Sequence, residues 1–309
     1  MPWRSLLPRL LGLALLGGVA WACAGRAEPP AARARLQGEL DRLDGVLKQL
    51  ETASQGGLSK AADALHSQIA GVRRASSPSI LVYQLRAPFV GVERLAFNWE
   101  HREAGKDLGH LEALWKERGP RFAPVPGQTP GPRPEAPLLA ALAQGAENRA
   151  EKLYKAALPY GRADAPGSGL YYLGEAEAER SFRDFVAALD LPVEKPPQGE
   201  TALDPRGLQA ALENLERETG ERFAADPAAQ SLNGVSARLK EARELLERGS
   251  REAAALALLE SRLELSRQSG AAGTGGASTA PAEGSLLAPF LASPASGDVV
   301  VLYRSFFKK

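Results

Sequence analysis

Two acid–histidine pairs are the residues of this sequence whose spacing suits metal chemistry. Asp63 lies three residues before His66, and Asp107 lies three residues before His110. On a helix this spacing places the carboxylate and the imidazole on one face, as in metal-binding helical bundles. One hypothesis is therefore metal binding, and the other is that these histidines are solvated or locally hydrogen-bonded. Three further side chains nearby could add ligands: Glu100, His101 and Glu103.

Signatures of nucleophilic and cofactor-dependent catalysis are missing from the sequence. It contains no Gly-x-Ser-x-Gly, no phosphate-binding Gly-x4-Gly-Lys and no Cys-x-x-Cys-His for haem attachment. The alternating Glu175, Glu177 and Glu179 are spaced to form a solvated helix face rather than an acid–base pair. The sequence thus predicts no catalytic residue and no cofactor, and it favours a binding protein over an enzyme.

Tyrosines are concentrated in one part of the chain. Four of the six, Tyr154, Tyr160, Tyr171 and Tyr172, fall within 19 positions of one another. Aromatic side chains at helical spacing usually form core, but tyrosine also supplies apolar area and a hydroxyl to binding grooves. Both interpretations stay open, and the second makes these four residues a candidate binding groove.

The N-terminal residues predict export. Arg4 and Arg9 precede an apolar stretch of residues 10–20 and the small residues around Cys23, which is typical of a secretory signal over 1–22. Cys23 is the one cysteine of the chain, which excludes an internal disulfide and a multi-cysteine metal site. Its surroundings resemble a bacterial lipobox, which implies lipidation at Cys23 and anchoring in the periplasm or at the outer membrane. Ordinary cleavage after Ala22 is the alternative.

Composition and charge limit the remaining possibilities. The chain has 309 residues, a formal net charge of +1 and 44% hydrophobic residues, so it can bury a core and is not wholly disordered. Near-neutral charge offers no footprint for nucleic acid, which we therefore exclude as a partner. Few aromatic residues and two isoleucines disfavour large sheets, whereas abundant Ala, Leu, Glu and Arg favour helices. The predicted fold class is mainly α.

A helical hairpin or bundle is expected over residues 23–118. Leucines recur at spacings of four and three between Leu36 and Leu50, and a similar stripe runs from Leu58 to Val72 after Gly56-Gly57. These stripes predict an antiparallel hairpin. A third helix is expected from Ile80 to Trp99, bent or split at Pro88, and a fourth from Asp107 to Arg118.

Proline-rich and glycine-rich segments divide the rest of the chain. Residues 119–137 carry seven prolines and predict a linker that cannot be regular helix. A second helical domain is expected over 138–268, and a flexible Gly/Ala/Ser-rich tether over 269–284. The tail 285–309 contains an apolar, β-branched segment, Val299 to Phe307, that predicts a strand docked on the helical body or added to a partner's sheet.

Parts of the second domain resemble the tetratricopeptide repeat. The resemblance covers parts of 150–174 and 239–261, where small and apolar residues fall at the repeat's spacing and Gly249 takes the turn between two helices. It implies an irregular helical array that binds protein partners. The residues that carry it around Gly249 are Ala242, Leu245, Ala254, Leu258 and Ser261, and those around the first turn are Ala150, Tyr154, Ala157, Leu170, Leu173 and Gly174.

The functional expectation follows from these features together. The sequence predicts an exported, lipid-anchored protein that binds or scaffolds a protein partner in the cell envelope, with the membrane contacted through Cys23. The alternative is an envelope enzyme or metal-binding bundle that uses Asp63, His66, Asp107 and His110.

Overall fold

The computed structural model describes residues 29–75, 78–122, 136–162, 165–191, 205–225 and 231–272. These residues are 87% helical and contain no strand, which confirms the predicted helical-array fold class. The predicted signal segment with Cys23 and the predicted strand Val299 to Phe307 lie outside the described residues. The helices are α1 (Pro29–Ala53), α2 (Ser59–Val72), α3 (Pro78–Glu100), α4 (Leu108–Phe122), α5 (Pro137–Tyr160), α6 (Pro166–Ala187), α7 (Pro205–Ala225), α8 (Ser231–Glu247) and α9 (Arg251–Ala272).

The first three helices pack as the leucine stripes predict. The α1 stripe and Ala62, Ile69 and Val72 of α2 are buried, since each helix turns its apolar face to the other and to α3. The chain reverses between α1 and α2 at Gln55 and Gly56, which both have a positive φ. Glycine adopts that conformation without a steric cost, so Gly56 favours the reversal at this point.

Pro88 and Pro120 lie inside helices that continue past them. Pro88 is buried within α3, and the helix continues past it as one element and is not split. Pro120 lies near the end of α4, which extends to Phe122 and so includes the first residues of the segment expected to be linker. A proline removes one backbone donor, and near a helix end tertiary packing can offset that loss. Phe122 stacks on Tyr154 of α5 with 4.4 Å between ring centroids, which holds the last turn of α4 in place.

An α5–α6 hairpin lies at the centre of the molecule. The two helices pack closely along their length, α3 packs on α6, and α9 packs on α5. One continuous hydrophobic core therefore contains residues of both helical regions, from Ala32 of α1 to Leu265 of α9. A second, smaller core around Leu111 and Leu173 joins α4 to the turn end of the hairpin.

The last three helices pack on one another, and α8 and α9 form a second hairpin. Gly249 has a φ of +74° between them, and the Ser250 and Gly249 amides donate to the carbonyls of Leu245 and Leu246 at 2.8 and 2.9 Å. This pair of bonds is a Schellman motif, in which glycine takes the left-handed position. In the part of the chain that the structure describes, no helix is long and apolar enough to cross a membrane.

Candidate functional site

The structure brings three of the four predicted groove tyrosines together. Tyr160 at the end of α5 stacks on Tyr172 of α6, with ring centroids 4.6 Å apart, and Tyr172 meets Tyr171 edge-on at 5.9 Å. The guanidinium carbon of Arg94 lies 4.3 Å from the centroid of the Tyr171 ring, and Arg94 donates to its hydroxyl. We call Arg94, Tyr160, Tyr171 and Tyr172 the tyrosine cluster.

Two members of the tyrosine cluster face solvent. Tyr160 is 55% exposed and Tyr171 is 43% exposed, and these two are the exposed large hydrophobic side chains of the described residues. Stacking on Tyr172 and Arg94 holds the two rings in fixed positions, so a partner that contacts them would not have to order them first. This arrangement suits a protein contact, in which tyrosine contributes apolar area and a hydroxyl together.

Close backbone packing positions the tyrosine cluster. A Cβ at Gly169 would lie 2.7 Å from both the Ala157 carbonyl oxygen and the Gly161 Cα, which is too close for any other residue. Glycine at 169 therefore lets the start of α6 approach the end of α5. That approach brings the Tyr160 ring against Tyr172, three residues after Gly169.

Tyr154 lies apart from the other tyrosines and belongs to the core. Its ring is sandwiched between Trp115 and Phe122 of α4, with centroid distances of 5.0 and 4.4 Å. The Tyr154 hydroxyl donates to the Trp115 carbonyl at 3.0 Å, and the Trp115 indole donates to the Tyr154 carbonyl at 3.1 Å. These reciprocal bonds give Tyr154 a structural role in joining α4 to α5.

The first acid–histidine pair does not act as a pair. His66 of α2 reaches back to α1, where its Nδ1 lies 2.7 Å from Asp44 and its Nε2 lies 3.4 Å from Glu51. Asp63 is exposed and is not among the carboxylates that hold this imidazole. The hydrogen bonds from Lys48 and His66 hold the pKa of Asp44 below its ordinary value. His66 thus ties the α1–α2 hairpin together.

The second pair caps a helix. Asp107 Oδ2 accepts the His110 amide at 2.8 Å and lies 3.1 Å from the His110 Nδ1, and both side chains are mostly exposed. This is the bond pattern of an N-cap residue at the start of α4. His101 packs against Phe97 at 4.5 Å, and burial lowers its pKa. Among the described residues no group of three or more His, Cys, Asp or Glu gathers in a way that could hold a metal ion.

Two glutamates expected on a solvated face are buried instead. Glu179 is 0% exposed and Glu177 is 5% exposed, so the prediction from their alternation is wrong for both. The physical reason is that α6 is covered by α3 on one side and by α4 and α5 on others, which leaves no wide solvated face. Glu175 is half-buried and lies 3.9 Å from Arg94.

Glu179 holds two guanidinium groups together. It accepts hydrogen bonds from Nε and Nη2 of Arg86 on α3, the first at 3.3 Å, and from Nε of Arg149 on α5 at 3.0 Å. Burial lowers the pKa of Arg86, but its attraction to Glu179 is sufficient to raise it above the ordinary value. One carboxylate thereby links α3, α5 and α6 through charge-assisted bonds.

Glu177 lies two residues before Glu179, on the side of α6 that faces α4, and it is less completely paired. Its Oε2 accepts a bond from Arg121 of α4, whereas its buried Oε1 has no hydrogen-bond partner among the described residues. Burial raises the pKa of Glu177 despite the nearby charges of Arg121 and Arg118.

A cavity of about 480 Å³ lies between α3, α5, α8 and α9. Its walls carry aliphatic side chains, and Arg86 and Arg149 line it beside the buried Glu179. Sequence reasoning missed this cavity because its lining comes from four helices that are far apart in the chain. The available signal was Arg86 within the apolar run of α3. The aliphatic lining residues with large side chains are Ile80, Leu142, Leu245, Leu256, Leu259 and Leu263.

Comparisons with protein-family models, with curated proteins and with solved structures give no match for this chain. The predicted lipidation residue, Cys23, lies outside the described residues, so its role stays a prediction.

Proposed function

We propose that this chain is a helical binding module for a protein partner, and that the partner docks on the tyrosine cluster. The observation that carries the proposal is the exposure of Tyr160 and Tyr171, whose rings both contact the ring of Tyr172. Exposed aromatic residues that are already fixed in position lose little conformational entropy on binding. Arg94 adds a cation at the edge of the same surface, and tyrosine and arginine are the residue types enriched in interface hot spots.

The proposal includes the tetratricopeptide-like register around Gly249. The small and apolar residues that carry the resemblance support this register, because they are buried where two helices meet at a left-handed glycine. An array of packed hairpins suits a scaffold, because each hairpin contacts its neighbours and leaves other faces available. The buried residues in question are Ala242, Leu245, Ala254, Leu258 and Ser261.

Site-specific photocrosslinking in the cells of origin tests the docking surface. A photoreactive residue at position 160 or 171 should trap the same partner protein, and one at the exposed Lys60 of α2 should not. The Tyr160→Ala/Tyr171→Ala double variant should lose co-purification of that partner with little change in melting temperature. Identical crosslinking at all three positions, or none at 160 and 171, would contradict the proposed surface.

The proposal places the protein in the cell envelope, held to a membrane by lipid on Cys23. The lone cysteine after an apolar segment supports this assignment. Replacing Cys23 by Ser should release the protein from the membrane fraction, and mass spectrometry of the wild-type N-terminus should find the lipid. Unchanged fractionation with an unmodified N-terminus would overturn the anchor while leaving the docking surface to its own test.

Elemental analysis separates the binding module from the metal-binding alternative. Asp63 does not join His66, and Asp107 caps α4 next to His110, so the two pairs offer no shared coordination site within the described residues. We expect the purified protein to contain no stoichiometric iron, manganese or zinc. A stoichiometric metal that is lost in the His66→Ala or His110→Ala variant would reverse the preference.

A further inference from the structure

The cavity between α3, α5, α8 and α9 has the size and lining of a small-molecule site. Its volume of about 480 Å³ falls within the range of pockets that hold small ligands. That space suits a molecule about as large as a dipeptide with two apolar side chains.

Charged groups on the cavity wall leave hydrogen-bonding capacity unused. Glu179 engages Nε and Nη2 of Arg86 and Nε of Arg149, and no hydrogen bond in the described part of the chain uses Arg86 Nη1 or the Nη atoms of Arg149. Gly145 makes room for Arg149, because the Arg149 Nη1 lies only 3.1 Å from where a Cβ of residue 145 would stand. The guanidinium donors of both residues are thus held in place by a buried carboxylate.

An acidic side chain lies directly beside these donors. Glu241 Oε1 on α8 forms an ion pair with Arg149 Nη1 at 3.5 Å, and this oxygen is buried without a hydrogen-bond partner among the described residues. The Glu241 side chain as a whole is 26% exposed and lines the cavity, so a cationic donor on a ligand can approach its carboxylate and add a charge-assisted bond. Nearby, Glu260 accepts from the Tyr83 hydroxyl at 2.8 Å and lies 3.8 Å from Arg238.

The balance of charge selects the type of ligand. Arg86, Arg149 and Arg238 face Glu241, Glu260 and Glu264 around the cavity. The buried Glu179 lies against the first two arginines, so a ligand meets charges of both signs. A ligand that was only an anion or only a cation would meet repulsion as well as attraction in this partly buried space. A molecule that carries both charges can place each one beside its opposite. The aliphatic wall requires that the rest of the molecule be apolar.

We propose that this cavity binds a dipeptide with free ends and apolar side chains. The ligand's carboxylate binds the open guanidinium donors of Arg86 and Arg149, and its ammonium group donates to the carboxylate of Glu241. The side chains pack against the leucines of α5, α8 and α9. The site lies away from the tyrosine cluster, since Gly145 and Tyr160 are separated by 15 residues of α5, or about 22 Å along the helix.

Calorimetry of the purified full chain with leucyl-leucine tests the proposal. We expect saturable binding, and we expect N-acetylation or C-terminal amidation of the dipeptide to weaken it at least tenfold. In Glu241→Gln the free dipeptide should lose affinity, whereas the acetylated dipeptide should bind as weakly as it does to the wild type. The matched control is Glu244→Gln, which alters a half-exposed glutamate on α8 paired with Lys152 and should leave affinity unchanged.

Three outcomes would overturn the dipeptide proposal. They are the absence of saturable binding, equal affinity for free and capped dipeptides, and binding of decanoate in preference to leucyl-leucine, which would assign the cavity to fatty acids. The Tyr160→Ala/Tyr171→Ala variant should bind leucyl-leucine normally. The proposal of a protein partner and the proposal of a dipeptide site can therefore fail independently, because each test uses residues that the other does not change.

Discussion

Two sides of α6, one facing α3 and α5 and the other facing α4, each bury a glutamate but pair it differently. Toward α3 and α5, Glu179 receives three hydrogen bonds from two arginines. Toward α4, Glu177 receives one bond from Arg121, and its second oxygen has no hydrogen-bond partner among the described residues. The two residues are separated by one alanine on the same helix. Their difference therefore comes from the neighbouring helices and not from local sequence.

The same two sides of α6 also differ in what surrounds the charge. The Glu179 side borders a cavity with aliphatic walls and paired charges, whereas the Glu177 side is closed by aromatic rings of α4 and α5. The comparison indicates that a buried carboxylate can link helices when guanidinium groups surround it. Where pairing is incomplete, burial raises the carboxylate pKa instead.

The largest effect is expected from Glu179→Ala, which leaves the Arg86 and Arg149 guanidinium groups without their shared carboxylate. Removing one partner of a buried ion pair destabilises a protein by about 3–5 kcal/mol. Urea unfolding should show a loss of that order. The matched control is Glu175→Ala, one turn earlier on α6, where a half-exposed carboxylate lies 3.9 Å from Arg94 and should cost below about 1 kcal/mol. Equal losses for the two variants would remove the distinction between linked and solvated carboxylates.

The aromatic contacts between α4 and α5 are tested by comparing the stability of Tyr154→Ala with that of Tyr160→Ala. Tyr154 lies between two rings and exchanges hydrogen bonds with Trp115, so its truncation should cost roughly 2–4 kcal/mol. Tyr160 is 55% exposed, so its truncation should cost below about 1 kcal/mol. Thermal unfolding of both variants checks the difference. A larger loss at Tyr160 would mean that its stack on Tyr172 is structural rather than a surface for a partner.

Periodic features of the sequence predicted much of the fold. The leucine stripe of α1 is buried as its spacing indicates, and Gly249 has the left-handed conformation expected at a turn between helices. Both features follow from interactions between residues that are close together in the sequence. The α3 helix continues through Pro88 because the tertiary contacts of that buried residue oppose a break that local rules favour.

The candidate sites depended on contacts that no local pattern encodes. Glu177 and Glu179 alternate as solvated residues do, and only the packing of α6 at the centre of the molecule buries them. The grouping of the tyrosines was visible in the sequence, but the separation of Tyr154 from the others required the position of α4. The cavity joins side chains from α3 and α9, which are over 150 residues apart.

The packing beside the cavity can be tested further by enlarging two adjacent alanines of α9. Ala254 is fully buried in a small core with Leu245, so Ala254→Leu should overpack the α8–α9 crossing at a cost of about 1–3 kcal/mol. Ala253 lines the cavity, so the extra atoms of Ala253→Leu have space and should cost less. Melting temperatures of the pair give the measurement. A wild-type value for Ala254→Leu would mean that the predicted register around Gly249 is wrong.

The smallest effect is a pH dependence at Glu177. Burial raises the pKa of this carboxyl in the folded protein above its ordinary value of 4.5, so the native state holds the proton more tightly than the unfolded chain. Stability from this group is then present below pH 4.5 and is lost as the pH rises through the raised pKa. Glu177→Gln cannot titrate, so its stability relative to wild type should increase as the pH rises across that interval.

Glu151 provides a control of opposite sign on α5. The bonds that Glu151 accepts from Lys155 and Arg248 lower its pKa below 4.5, so its contribution is present above that pH and is lost as the pH falls through the lowered pKa. Glu151→Gln should therefore lose stability relative to wild type as the pH rises toward 4.5. Urea unfolding of the three proteins in steps from pH 3 to about pH 7 measures both differences. If Glu177→Gln followed the direction of Glu151→Gln, Arg121 would outweigh burial, and both sides of α6 would stabilise an ionised carboxylate in the same way.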